Sequence, residues 1–141
     1  MKKRNQAAAS FGIIGLGRFG MALATTLADA GKEVIVIDKD ESKVKVMRQY
    51  TDYAFVADNL SMETLKEIGM QNCDVAVVCI GEKLDISILT TMSLIELGVP
   101  RVISKALSAE QGAVLSKLGA EVVYPERDMA VRLANRLENS H

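Results

Sequence analysis

At 141 residues the chain is long enough to bury a real hydrophobic core but too short for a second lobe. Its charged share of 25% and net charge of −1 exclude a general field for nucleic acid or an anionic membrane, so any charge-based function must be local. No apolar stretch approaches the roughly 18 residues of a membrane span, and the basic start Met1-Lys-Lys-Arg lacks an apolar segment of signal-peptide length.

Residues 1–9 are expected to be a flexible basic leader, and 10–141 a single nucleotide-binding unit. The unit opens on a strand, Phe11-Gly-Ile-Ile14, running into Gly15-Leu-Gly-Arg-Phe-Gly20, a G-x-G-x-x-G turn. Each glycine has its own reason: Gly15 permits a tight turn, Gly17 lets backbone approach a diphosphate, and Gly20 lets the next helix pack on the sheet. Phe19, Leu23 and Leu27 share one face of that helix, which Gly31 stops. Glu33-Val-Ile-Val-Ile-Asp38 is a second strand, and its terminal carboxylate lies 21 residues after Gly17. That is close to the offset of about 20 residues expected of an acid that binds a ribose hydroxyl.

Asp40 is placed to cap a helix through Val44 and Met47, and residues 53–57 read as a third strand with Asp58-Asn59 at its end. Ser61 begins a helix closed by Gly69. Asp74 to Ile80 is then a continuous apolar strand of the kind covered on both faces, ending at the turn of Gly81. Residues 85–97 form a helix apolar nearly all round, which needs cover on more than one side, either from this chain or from another subunit. A fifth strand at 101–105 ends in Lys105, a helix spans 109–118, and a sixth strand spans 120–124. Pro125 opens a closing helix whose Met129, Leu133 and Leu137 are expected to face the core.

Six strands alternating with helices through short connections predict an α/β fold, a Rossmann-like doubly wound parallel sheet of order 3-2-1-4-5-6 with helices on both faces. In such a sheet ligands lie beyond the carboxyl ends of the strands. The residues expected there are Gly15, Gly17, Arg18, Phe19 and Gly20 after the first strand, Asp38 and Lys39 after the second, and Asp58 and Asn59 after the third. Gly81 follows the fourth, Lys105 ends the fifth and Glu126 follows the sixth.

Arg18 is a cation in a helix's first turn, opposed by the dipole unless an anion compensates, and a phosphate would do so; a solvated arginine is the alternative. Asp38 reads as a ribose ligand or a turn aspartate, and its charge disfavours a 2′-phosphate. Lys105 reaches terminal phosphates or lies free at the surface. Asp58-Asn59 reads adenine or forms an Asx turn, and Glu126 either serves a ligand or simply favours its helix start. Cys73 and Cys79 have no C-x-x-C spacing and no histidine nearby, and read as buried, reduced thiols. The sole histidine, His141, is terminal, so hydride-transfer chemistry lacks an evident acid or base. The residues therefore favour a binding and sensing domain, with the cofactor domain of a dehydrogenase or redox sensor as the alternative.

Over about residues 10–138 the chain resembles the nucleotide-binding RCK/KTN (TrkA-N) domain of Trk- and Ktr-type potassium transport regulators. The resemblance rests on Gly-Leu-Gly-Arg-Phe-Gly at 15–20, Val-Ile-Asp ending at 38, Ala57-Asp-Asn, Cys79-Ile-Gly81, Leu89-Thr-Thr-Met and Lys105. It rests further on Leu118-Gly-Ala and on Tyr124-Pro-Glu-Arg-Asp-Met129, the most specific of these motifs. It implies a non-enzymatic, cytoplasmic domain that binds ATP, ADP or NAD and gates a membrane potassium channel or transporter subunit. Such domains pair and assemble, typically into an octameric ring peripheral to the inner face of the membrane, without inserting into it. By position the resemblance gives phosphates to Arg18 and Lys105, the ribose to Asp38 and the adenine side to Asp58 and Asn59. Glu126 falls near the terminal phosphate or a divalent cation at a dimer interface. Lys39 and Asp40 replace the small or amide residues often found after the ribose acid, leaving the nucleotide preference open, and family members commonly carry a further carboxy-terminal domain.

Overall fold

The computed structural model describes residues 9–80 and 83–140; the expected leader, except Ala9, and Gly81 lie outside these. Six strands form one parallel sheet: β1 (Ser10–Ile14), β2 (Glu33–Asp38), β3 (Ala54–Val56), β4 (Val75–Val78), β5 (Arg101–Lys105) and β6 (Glu121–Val123). Their order is β3-β2-β1-β4-β5-β6, as the alternation of elements predicts. The helices are α1 (Arg18–Asp29), α2 (Glu41–Met47), α3 (Met62–Ile68), α4 (Leu84–Glu96), α5 (Ala109–Lys117) and α6 (Pro125–Asn139).

Because side chains alternate along a strand, the apolar β-runs serve two cores. Ile13, Val36 and Val77 face α1 and α2, packing with Ala24, Val44 and Met47. Ile14, Ile37 and Val78 face the other way, against Leu65 and Met70 of the α3 region and Leu94 of α4. Covering both faces explains why the central strands are almost uninterrupted Val and Ile. Local chemistry sets the helix starts. The side chains of Asp40, Ser61 and Ser108 accept backbone N–H bonds from Ser42, Thr64 and Gln111 at the starts of α2, α3 and α5.

Two helices depart from their expected surroundings. The buried face of α4 is not its apolar one: Ser87, Thr90, Thr91 and Leu94 are buried, whereas Leu89 is 61% and Met92 45% exposed. The hydroxyls are accommodated because Thr91 Oγ1 donates to the Ser87 carbonyl at 2.8 Å and meets Ser104 Oγ at 2.7 Å. More consequentially, α6 buries no residue, and Met129, Leu133 and Leu137 face solvent instead of the core. The helix leaves β6 through Tyr124 alone and does not fold back over the sheet. An apolar groove of about 240 Å³ is left open beside α1, lined by Phe19, Leu23 and Leu27 together with Val77, Ile103 and Val123. Periodicity identified a helix with an apolar stripe; it carried no information about what that stripe would meet.

Gly20 leaves no room for a side chain, since a Cβ there would collide with the Gly15 carbonyl oxygen and lie 3.2 Å from Cys79 Cβ. Gly20→Ala is expected to cost about 1–3 kcal/mol, read from urea unfolding midpoints. Cys73 and Cys79 are both buried, and burial pushes the Cys79 thiol up to about 12. Ellman's reagent at pH 8 should therefore leave both thiols unmodified in the native protein and react with both once denaturant is added.

Candidate functional site

The turn after β1 is shaped by two requirements. Gly15 has φ +100°, a conformation costly for any residue with a Cβ, and it carries the chain sharply off the strand. Its N–H donates to the Ile37 carbonyl at 2.9 Å, while the next amide, Leu16 N–H, donates to Asp38 Oδ2 at 2.6 Å. The Leu16 side chain is buried beneath, and Cys79 N–H donates to the Ile14 carbonyl at 2.7 Å, so the ends of β2 and β4 wall the turn.

Gly17 is the N-cap of α1, with no side-chain cap and no acidic residue in the first turn. The first amides of a helix have no partners within it, so this end presents donors and partial positive charge outward. A Cβ built on Gly17 meets nothing within 4 Å, so internal packing does not require the glycine. Arg18 is exposed at the start of the helix, and Phe19 is half-buried against the groove.

Asp38 ends β2 half-buried, its Oδ2 accepting from Leu16 N–H and its Oδ1 from Asp40 N–H at 2.8 Å. It is thus a turn-forming aspartate, held in place beside the glycine turn. Each carboxylate oxygen keeps a second acceptor position for a ligand. Lys39 is exposed next to it. β3 pairs Val56 with Asp38, and Ala57 N–H donates to the Asp38 carbonyl at 3.1 Å, which brings Asp58 and Asn59 to the same rim. Their side chains are exposed.

On the other side of β1, Lys105 is half-buried at the end of β5 and acts on the Cys79 thiol through its charge. The neighbouring Ser104 points to the other face of the sheet, where its hydroxyl pairs with Thr91 of α4. This pair escaped sequence reasoning; its signal was the run of hydroxyl residues Ser87, Thr90 and Thr91 inside an otherwise apolar helix. Glu126 is exposed beyond β6, three strands from β1. At a strand spacing of about 4.8 Å, that is roughly 14 Å from the glycine turn. One chain therefore gathers the glycine turn, Asp38, Lys39, Asp58 and Asn59 closely, with Lys105 flanking and Glu126 apart. Among the described residues no group of three or more His, Cys, Asp or Glu stands ready to hold a metal ion. A concavity of about 620 Å³ lies at the β6 edge of the sheet, between α5 and β6, and is lined by none of these residues.

The TrkA-N domain family model matches residues 11–125. Ktr system potassium uptake protein C of Bacillus subtilis is 42% identical over 132 residues, covering 93% of this chain and 60% of that protein. Ktr system potassium uptake protein A of Vibrio alginolyticus is 38% identical over 128 residues, covering 90% of this chain and 58% of that protein. The chain thus spans about 60% of the length of these relatives. Among solved structures, the GsuK channel bound to NAD superposes with a TM-score of 0.75 at 26% identity, covering 98% of this chain and 25% of that one. GsuK bound to ADP gives 0.73 at 27% identity, covering 94% and 35%. With its glycine turn, clamped acid and six-stranded sheet in place, the chain belongs to the TrkA-N domain family.

Proposed function

We propose that this chain is an adenine-nucleotide-binding regulatory domain that gates a membrane potassium channel or transporter. The observation that carries the reading is the empty space at Gly17, beside the uncapped start of α1 and the clamped carboxylate of Asp38. A diphosphate placed there would meet helix amides and the positive dipole end, with Gly17 allowing close approach. Gly15 and Gly20 hold the turn, Phe19 borders it, Arg18 and Lys105 neutralise phosphates, Asp38 takes the ribose hydroxyls, and Lys39, Asp58 and Asn59 flank the adenosine. The relatives' names as potassium uptake proteins, and the presence of NAD or ADP on GsuK, support this over a dehydrogenase's cofactor domain, and support a binder over an enzyme.

The same reading makes the working unit a homo-oligomer, with dimers assembling into an octameric ring on the cytoplasmic side of the membrane. Three features of the chain support association: the exposed stripe of α6, the open groove beside α1, and the exposed Leu89 and Met92 of α4 on the opposite face of the sheet. Exposed apolar surfaces rimmed by polar residues are typical of interfaces. No described helix is long and apolar enough to cross a membrane. Glu126, isolated in one chain, gains a use if a second chain brings its phosphates or a divalent cation to it. ATP, ADP and NAD differ in what they offer Arg18 and Lys105 beyond the first two phosphates. Only a difference in affinity between two shapes of the ring can shift its equilibrium.

Thermal unfolding with ATP, ADP, NAD and NADH tests the nucleotide site, because a ligand at 100 times its Kd stabilises by about 2.7 kcal/mol. A shift with at least one of them is expected, and none with any would end the reading. Gly17→Ala should change the ligand-free stability by less than about 1 kcal/mol. Because its methyl group would occupy the diphosphate's place, it should also weaken nucleotide binding at least about tenfold, or 1.4 kcal/mol, in titration calorimetry. Leu133→Asp, at an exposed position, should leave the unfolding midpoint nearly unchanged while lowering the mass seen by analytical ultracentrifugation.

A further inference from the structure

The stripe of α6 is useful to a partner only if the helix points in a defined direction, yet Glu126–Ser140 are all exposed and, among the described residues, nothing along its length seats it. Its direction must come from its first turn. There the geometry is unusually tied together. Tyr124 N–H donates to Asp128 Oδ2 at 3.0 Å, and Asp128 N–H donates back to the Tyr124 carbonyl at 2.7 Å. The Arg127 guanidinium lies 3.8 Å from the centre of the Tyr124 ring, and Arg127 also pairs with Asp128 at 3.6 Å. Ring, backbone and first helical turn therefore form one rigid piece.

That piece rests on the body of the protein at a single glycine. A Cβ on Gly112 of α5 would collide with the Tyr124 hydroxyl and lie 2.7 Å from Cζ and 3.2 Å from Cε1, so the ring tip sits directly on the bare backbone of α5. Gly112 is otherwise a poor choice inside a helix, disfavoured by about 1 kcal/mol relative to Ala, and the seat for Tyr124 accounts for it. On the strand side, Val123, the residue before Tyr124, pairs with Lys105, and Ala106 N–H donates to the Val123 carbonyl at 2.9 Å. The junction is thus next to the rim.

We propose that Tyr124 is a positioning residue: seated on Gly112 and clasped by Arg127 and Asp128, its ring sets the angle at which α6 leaves the sheet and hence how the Met129–Leu133–Leu137 stripe is offered to a second copy. Its use in assembly rests on the association reading above, whereas the angle itself is a property of one chain. The helix spans about 22 Å, so a change of about 15° moves its far end by about 6 Å.

The test is a distance measurement by pulsed electron spin resonance between labels at Lys117→Cys on α5 and Glu138→Cys on α6. It is made on the Leu133→Asp chain, so that no partner holds the helix, and the buried native thiols stay unlabelled. A single narrow distribution is expected with the junction intact. Gly112→Ala should displace its centre by about 6 Å, and Arg127→Ala, an exposed site that cannot overpack the core, should broaden it. Identical distributions in all three would overturn the proposal, as would a broad distribution before any junction change. In the Leu133 chain Arg127→Ala should also weaken self-association about tenfold with an unchanged unfolding midpoint. If the protein proves monomeric throughout, the association reading fails while the distances still judge the junction.

Discussion

The site is built on two hydrogen bonds that tie the β1–α1 turn to the end of β2, Gly15 N–H to the Ile37 carbonyl and Leu16 N–H to the Asp38 carboxylate. They set the height at which α1 begins, and the contact between Gly20 and the Gly15 carbonyl sets how closely it lies on the sheet. With α1 so placed, its unpaired amides and the Asp38 oxygens lie side by side at the end of β1 and β2.

In Asp38 a structural role and the proposed binding role would share one side chain. Two of its acceptor positions hold the turns on either side, and those bonds fix the carboxylate beside the glycine turn. Replacing it would disturb the shape of the cradle as well as its chemistry. The cations stand differently. Arg18 and Lys39 are exposed, whereas Lys105 is half-buried and acts through its charge on a thiol whose burial keeps it protonated.

The apolar surface left uncovered is as informative as the core. The stripe on α6 and the groove beside α1 are each what the other lacks, but a connection of one residue, stiffened by Pro125 and by the clasp around Tyr124, directs the helix outward. Among the described residues both surfaces stay uncovered, and the proposed association rests on them.

Much of this was legible in the chain's own order of residues. Glycine spacing, the Val- and Ile-rich strands, capping serines and aspartates and the alternation of elements are local signals, and local sterics and burial on both faces are enough to determine the sheet order and the glycine turn. The carboxyl-end rim follows, because parallel strands must all end on the same side. What only tertiary structure decided were relations between residues far apart: that α4 buries its hydroxyls and exposes Leu89 and Met92, that Glu126 lies three strands from the glycine turn, and that the stripe of α6 meets no core. Periodicity reports that a helical face is apolar, but the energy of burying it belongs to whichever surface it reaches, and that depends on the angle of one junction resting on Gly112.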